Sequence, residues 1–289
     1  MNGVLLVDKE QGWTSSDVVV KLKGILRQRR VGHAGTLDPM ATGLLVVFAG
    51  RATRAVQFAE ADEKRYLASL RLGLVTDTQD IWGTILDKRP VNADEDALEA
   101  VLARFRGEQE QLPPMYSALK VGGRKLCDVA RRGGEIERIP RRITVYELKL
   151  LGCEGEDWLL DIRCSKGTYV RTLCHDIGEV LGCGACMSAL RRVEAGSFHV
   201  DDALKIGELQ ALAEAGELHK RVLPVDRLFA GKPACTASPE EEKKIRCGSA
   251  YETALPDGEY RVYGGDGAFL MLGRAGQGSM QAVKSFFEV

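Results

Sequence analysis

Gly32-His33-Ala34-Gly35-Thr36-Leu37-Asp38-Pro39-Met40-Ala41-Thr42-Gly43 sets one carboxylate between glycines and a proline, and Leu44-Leu45-Val46-Val47-Phe48 follows at once. Glycine permits backbone angles and close approaches that other residues resist, while Pro39 fixes its own φ and biases Asp38 toward extended conformations. The segment therefore reads as a shaped loop. The apolar run behind it is long enough for a buried strand and too short for a typical helix. A loop anchored in this way can aim a carboxylate, which makes Asp38 the first candidate for chemistry. The competing reading is an ordinary Asp-Pro turn, since glycine-rich turns occur in most domains of this size.

The rest of the chain interleaves strands with helices. Gly3 to Asp8 reads as a strand, and Thr14 followed by Asp17 resembles a capping box opening a helix through about Arg30. Ala52 to Glu63 reads as a second helix and Tyr66 to Leu74 as a strand. Glu95 to Glu108 reads as an amphipathic helix with Leu98, Val101, Leu102 and Phe105 on one face. In the stretch 158–164, Trp158, Leu160, Ile162 and Cys164 share a face while Asp161 and Arg163 point the other way, the pattern of a half-buried strand. That strand runs into Lys166-Gly167-Thr168-Tyr169-Val170-Arg171, and Leu173 to Leu181 looks helical. Without regular βαβ spacing, this order predicts an α+β sheet over a doubly wound parallel fold. Ala230-Gly231-Lys232-Pro233 looks like a linker, and the glycine-rich segment from Tyr260 to Val289 suggests a small β domain, with a β extension of the main sheet as the alternative.

At 289 residues the chain can bury a substantial core and hold one large domain plus a small one. Hydrophobic residues make up 45% and charged residues 28%. No apolar run approaches the roughly 20 residues of a membrane-spanning helix. The start of the chain lacks the basic region and cleavage pattern of a secretory signal, so a soluble, cytoplasmic protein is expected. The eight cysteines are irregularly spaced, which favours reduced thiols. Cys183 and Cys186 form the one close pair, and a structural zinc site would need two further ligands.

A net charge of -1 gives no sign of nucleic-acid binding, but local charge does. Lys21, Lys23, Arg27, Arg29 and Arg30 lead without an acid into the Asp38 loop. A second basic concentration holds Arg124, Lys125, Arg131, Arg132, Arg138, Arg141 and Arg142, diluted by Asp128, Glu135 and Glu137. Charge runs are usually solvated surface, yet two of them flanking a candidate site also suit phosphate.

The stretch GHAGTLDPMATGLL closely resembles the catalytic-aspartate motif of the TruB-type tRNA pseudouridine synthases. Other family-like segments recur in order: Gly3 to Lys9, Lys64-Arg65-Tyr66, Pro113 to Lys120, Lys166 to Thr172, and Leu190-Arg191-Arg192. The resemblance spans nearly the whole chain. It implies the pseudouridine synthase fold, a mixed, largely antiparallel central sheet with flanking helices, over residues 1–230. It also implies an RNA-gripping insertion at about 124–142 and a PUA-like RNA-binding domain over 231–289. Cys127 stands where relatives often place a tyrosine.

The implied reaction isomerises uridine 55 in the T loop of tRNA: the base-to-ribose bond breaks, the uracil turns, and it rejoins through carbon. Nothing is oxidised and no group is imported, so no metal or organic cofactor is implied. The implied partner is the T-arm stem-loop of tRNA, met by a monomer without an obligate protein partner or a membrane. Asp38 becomes the implied nucleophile, acting on ribose, on base, or by assisting elimination. A carboxylate in a closed, base-filled pocket incurs a desolvation penalty unless a cation opposes it, and the resemblance offers Arg171. Tyr66 is implied to stack on the target base and to take part in proton transfer, although a phenol is a poor base at neutral pH unless activated. Tyr169 and Leu190 match further substrate-contacting positions that pattern alone would assign to the core. His33 is implied to fill the space left by a flipped-out base, and Lys9 matches a position near the active site. An RNA-binding or tRNA-folding module in which Asp38 only shapes a turn is the alternative. A glycoside hydrolase is a weaker one, because that chemistry usually needs two carboxylates.

Overall fold

The computed structural model describes the chain except for Ala61, Asp62, Glu288 and Val289. In chain order the first half comprises β1 (Gly3–Lys9), α1 (Ser15–Ile25), β2 (Val31–Ala34), β3 (Thr42–Ala49), α2 (Val56–Glu60), β4 (Lys64–Leu72), β5 (Leu74–Thr76), β6 (Ile85–Lys88), α3 (Glu95–Arg104) and β7 (Gly107–Gln111). Small elements β8 (Lys120–Val121), β9 (Arg124–Lys125) and α4 (Leu126–Ala130) precede the long strands β10 (Arg141–Glu154) and β11 (Asp157–Cys164). Then come α5 (Val170–Leu181), β12 (Ala185–Ala195), β13 (Phe198–His199) and α6 (Ile206–Glu214). The C-terminal part holds β14 (Ala234–Thr236), α7 (Pro239–Arg246), β15 (Tyr251–Glu252), β16 (Gly258–Tyr263), β17 (Phe269–Gly276) and β18 (Ser279–Ser285).

The main sheet runs β1-β3-β12-β4-β11-β10-β7, with β2 added to β3 and β13 to β12. β3 and β12 are parallel, and the other neighbours are antiparallel, so the sheet is mixed and largely antiparallel. One feature of this order positions the site. β12 meets β3 only at Arg191 and Arg192 opposite Thr42 and Gly43, and β2 takes over beside Val46 to Ala49. The Asp38 loop, between β2 and β3, therefore emerges where the sheet changes partners.

Helices α1, α3, α5 and α6 cover one face of this sheet. Leu98 and Leu102 of α3 and Leu173 and Ile177 of α5 join Leu70, Leu148, Leu160 and Ile162 in one core cluster. Val18 and Leu22 of α1 and Leu209 of α6 pack on Leu5, Val7, Leu45 and Val47. Each such side chain fully buried contributes about 1.5–3 kcal/mol. A five-stranded sheet, β14-β16-β17-β18-β15, forms the C-terminal β-rich unit. No helix among the described residues is long and apolar enough to cross a membrane.

Several sequence expectations shift at element ends. α1 stops at Ile25, not near Arg30: Leu26 closes it and Arg27 takes φ 50°, turning the chain so that Val31 can pair with Ala49. Arg27, Arg29 and Arg30 therefore lie on a turn. α3 ends at Arg104, and Gly107–Gln111, partly expected as helix, pairs with β10 as an edge strand. The expected second helix opens as a 3₁₀ turn (Gly50–Ala55) and continues as α2, and its expected residues Ala61 and Asp62 lie outside the described ones. Asp161 does not face water as the alternation suggests. Arg65 grips it with two bonds of 2.8 and 2.6 Å, which is how a carboxylate enters a half-buried sheet.

Candidate active site

The Asp38 loop is tied down along its length. The Ser15 hydroxyl, at the start of α1, accepts from the Leu37 amide at 2.8 Å and donates to the Leu37 carbonyl at 3.0 Å. The Gly12 amide reaches the Pro39 carbonyl at 2.8 Å, and the Ala41 amide the Asp38 carbonyl at 3.0 Å. From beneath, the Lys9 ammonium donates to the carbonyls of Trp13 (2.7 Å), Glu10 (3.1 Å) and Pro39 (3.5 Å). The loop closes at Gly43, whose φ of 96° suits glycine and where a Cβ would lie 2.3 Å from the Arg192 carbonyl oxygen.

Arg171 meets this loop from the first turn of α5. The helix begins at Val170, three residues earlier than the pattern suggests, because Gln111 of β7 holds the residue before it. The Gln111 side chain accepts from the Tyr169 amide at 2.8 Å and donates to the Tyr169 carbonyl at 3.0 Å. The Arg171 side chain is only 5% exposed, and its guanidinium is engaged on three sides. Nε lies 2.9 Å from Asp38 Oδ2, Nη1 donates to the Thr78 carbonyl at 2.8 Å, and Nη2 to the Tyr116 carbonyl at 2.8 Å. Nη1 is also 3.5 Å from Asp80 Oδ2. The planar fork is thus locked in one orientation. The Asp38 side chain, 37% exposed, faces a cleft of about 1000 Å³.

That cleft brings together His33, Asp38, Tyr66, Tyr169, Arg171 and Leu190, residues far apart in sequence. Lys9 does not line it; fully buried, it supports the loop from behind. Burial lowers the Lys9 pKa to about 8, against the attraction of Asp38. Burial pushes the Tyr66 phenol up from its ordinary range, with the Arg192 guanidinium opposing. The same two influences, burial first and Arg192 second, both push the His33 imidazole down. Its Nδ1 is buried without a hydrogen-bond partner among the described residues. His33 also borders a second pocket of about 590 Å³, shared with Arg30, Arg51 and Arg54.

Four structurally important residues escape a sequence reading. Ser15 and Gln111 look like ordinary polar residues until the loops they hold are seen. Asp80 is one of two acids in Thr76-Asp77-Thr78-Gln79-Asp80, and nothing local tells which is buried beside Arg171. Its presence removes the premise that the site offers a single carboxylate. Burial pushes the Asp80 pKa up, with Arg171 opposing. Arg192, fully buried, sits opposite Tyr66 across β12 and β4 and donates to the carbonyls of Leu44 (2.7 Å) and Gly35 (3.0 Å).

The second basic concentration reaches the same cleft through Lys125, Arg131, Arg141 and Arg142, with Cys127 and Asp128 among them. Cys183 and Cys186 are buried free thiols, and no group of three or more His, Cys, Asp or Glu among the described residues could hold a metal ion.

Comparison with known proteins agrees with this architecture. A model of the N-terminal domain of TruB family pseudouridylate synthases matches residues 23–170, and one of the tRNA pseudouridylate synthase B C-terminal domain matches residues 171–230. A protein of Clostridium kluyveri named tRNA pseudouridine synthase B is 40% identical over 293 residues, covering 99% of this chain and all of the relative. Proteins of the same name from Chromohalobacter salexigens and Azoarcus sp. (strain BH72) are 45% and 43% identical, covering 85% and 97% of this chain and 80% and 93% of theirs. Among solved structures, one titled as a Cbf5-Nop10-Gar1 complex aligns with TM-score 0.76 and 27% identity, covering 99% of this chain and 85% of that one. A chain from an H/ACA RNP bound to a substrate RNA containing 2'-deoxyuridine aligns with TM-score 0.76 and 25% identity, with the same coverage. The chain belongs to the TruB family of pseudouridylate synthases.

Proposed function

We propose that this chain isomerises uridine 55 in the T loop of tRNA and that Asp38 is its catalytic nucleophile. Family membership makes it a tRNA pseudouridine synthase. The observation that carries the finer reading is the 2.9 Å pair between Arg171 and Asp38 at the wall of the cleft. A guanidinium with every side engaged stabilises the carboxylate anion and fixes its direction, so one oxygen can face a bound nucleoside.

In this reading the target uridine leaves the folded RNA and enters the cleft. The glycosidic bond from N1 to the ribose breaks, the uracil turns, C5 bonds to the ribose, and the proton lost from C5 is balanced by one gained at N1. Asp38 carries the detached fragment or assists its departure. Tyr66 offers its ring face to the base, since burial raises its phenol and weakens it as a proton acceptor at neutral pH. Leu190 and Tyr169 close the walls around the base. His33, kept neutral near pH 7 by burial, supplies a flat ring for the space the uridine leaves. Lys9 acts indirectly by holding the loop.

Residues 1–230 form the catalytic part and residues 231–289 a PUA-like RNA-binding domain in this account, with no protein partner required. Lys125, Arg131, Arg141 and Arg142 take the phosphates that enter with the loop. An unmodified T-arm hairpin incubated with the protein in chelator-treated buffer tests the reading. Pseudouridine is expected at the uridine corresponding to position 55 alone; modification of other uridines in its place, or dependence on an added metal, overturns it.

A further inference from the structure

Trp82 is the most exposed tryptophan of the chain, with 54% of its surface open, and it lines the same cleft as Asp38. A single exposed aromatic needs no explanation by itself. This one is held on an unusually constrained turn. Between β5 and β6, Thr78 Oγ1 donates to Asp80 Oδ1 at 2.9 Å, the Trp82 amide donates to the same oxygen at 3.0 Å, and the Thr84 amide donates to Asp77 Oδ1 at 2.8 Å. Gln79 takes φ 63°, and its side-chain oxygen accepts from the Thr172 hydroxyl at 2.8 Å. Gly83 has no room for a side chain, since a Cβ there would lie 2.2 Å from Thr78 Oγ1. Backbone bonds from Ile81 to Met187 (2.9 Å) and from Met187 to Gln79 (3.1 Å) fasten the turn to β12.

Backbone strain and this density of bonds around an open indole mark a turn shaped for contact. Ile81, next in the chain, packs on the core, so the turn sends one apolar side chain inward and leaves its neighbour out. The cleft that Trp82 borders is also lined by Tyr116 and by the cations Lys125 and Arg131. A flat apolar surface beside phosphate-sized positive charge is the pairing that single-stranded nucleic acid requires: a base stacks while its backbone is neutralised. An indole presents this surface at low conformational cost, because it turns about only two side-chain torsions.

We propose that Trp82 is a stacking platform for an unpaired nucleobase of the substrate RNA, next to the uridine that enters the cleft. The inference rests on the reading of the cleft as the RNA site. Stacking accepts any base, so Trp82 adds affinity for an open loop over a paired stem without reading sequence.

The test uses the full-length protein and an unmodified T-arm hairpin, with wild type, Trp82→Ala and Trp82→Phe compared after circular dichroism shows equal folding. Trp82→Ala is expected to raise KM about 5- to 100-fold with kcat within about twofold, and Trp82→Phe to restore most of the loss. Saturating hairpin is expected to quench tryptophan emission in the wild type and not in Trp82→Phe. Unchanged KM in Trp82→Ala, or a quench that persists in Trp82→Phe, overturns the platform while pseudouridine formation by the wild type leaves the RNA-site reading intact. Emission that changes with protein concentration in the absence of RNA also overturns it, because it assigns Trp82 to contact between copies.

Discussion

Arg171 shows what one residue must do for this site to exist. It joins the Asp38 loop to Asp80 and to two backbone carbonyls, so a substitution disturbs both chemistry and packing. Arg171→Lys keeps the charge but not the fork, and should lower kcat at least a hundredfold and cost about 3–5 kcal/mol of stability by leaving buried groups unpaired; single-turnover assays and urea unfolding measure the two effects. Lys9 makes a pH-dependent prediction. Its folded pKa of about 8 lies below the ordinary lysine value of 10.5, so the unfolded chain holds the proton more tightly. Below pH 8 the fold carries the full penalty of a buried ammonium; as pH rises from 8 toward 10.5 the folded state sheds the proton first and stability increases. The stability of wild type minus that of Lys9→Met should therefore rise by about 2 kcal/mol between pH 7 and 9.5, and parallel curves would remove the assignment. Asp38 was legible because glycine and proline leave its backbone few options. Asp80 was not, because its partner Arg171 comes from a helix much later in the chain and nearby acids look alike.

At the scale of elements, the site is built from ends rather than middles. The N-terminus of α1 clamps the Asp38 loop through Ser15, the N-terminus of α5 delivers Arg171, and the turn between β5 and β6 supplies Asp80. Ser15→Ala removes both bonds to Leu37 and should cost about 1–3 kcal/mol. Because the loop then loses its direction, kcat should fall more than KM rises, and equal effects on both would contradict the clamp. The start of α1 could be read from Thr14 and Asp17, whose reciprocal bonds are local. The start of α5 could not. Its first residue depends on Gln111, from a strand 58 positions earlier that itself resembled the end of a helix.

For the molecule as a whole, interleaved strands and helices without βαβ spacing pointed to an α+β sheet, and the sheet has that character. Its strand order was beyond local reading, because β4 is flanked by β11 and β12 from much later in the chain. On either side of the segment 230–233, which read as a linker, the C-terminal sheet and the rest of the chain share aromatic packing. Phe229 lies 5.3 Å from Phe58, 6.1 Å from Phe269 and 6.0 Å from Phe286, ring centre to ring centre. Arg54 adds a bond to the Ser285 carbonyl at 3.2 Å, and Arg51 one to Phe287. Phe229→Ala should cost about 3–5 kcal/mol and split one unfolding transition into two, visible by calorimetry; a single unchanged transition would show that the units unfold independently of this contact. The most direct measurement compares wild type with Asp38→Asn for binding to the T-arm hairpin and for pseudouridine formed in it. The account predicts binding within a few-fold of wild type and no pseudouridine, whereas full modification by Asp38→Asn would contradict it.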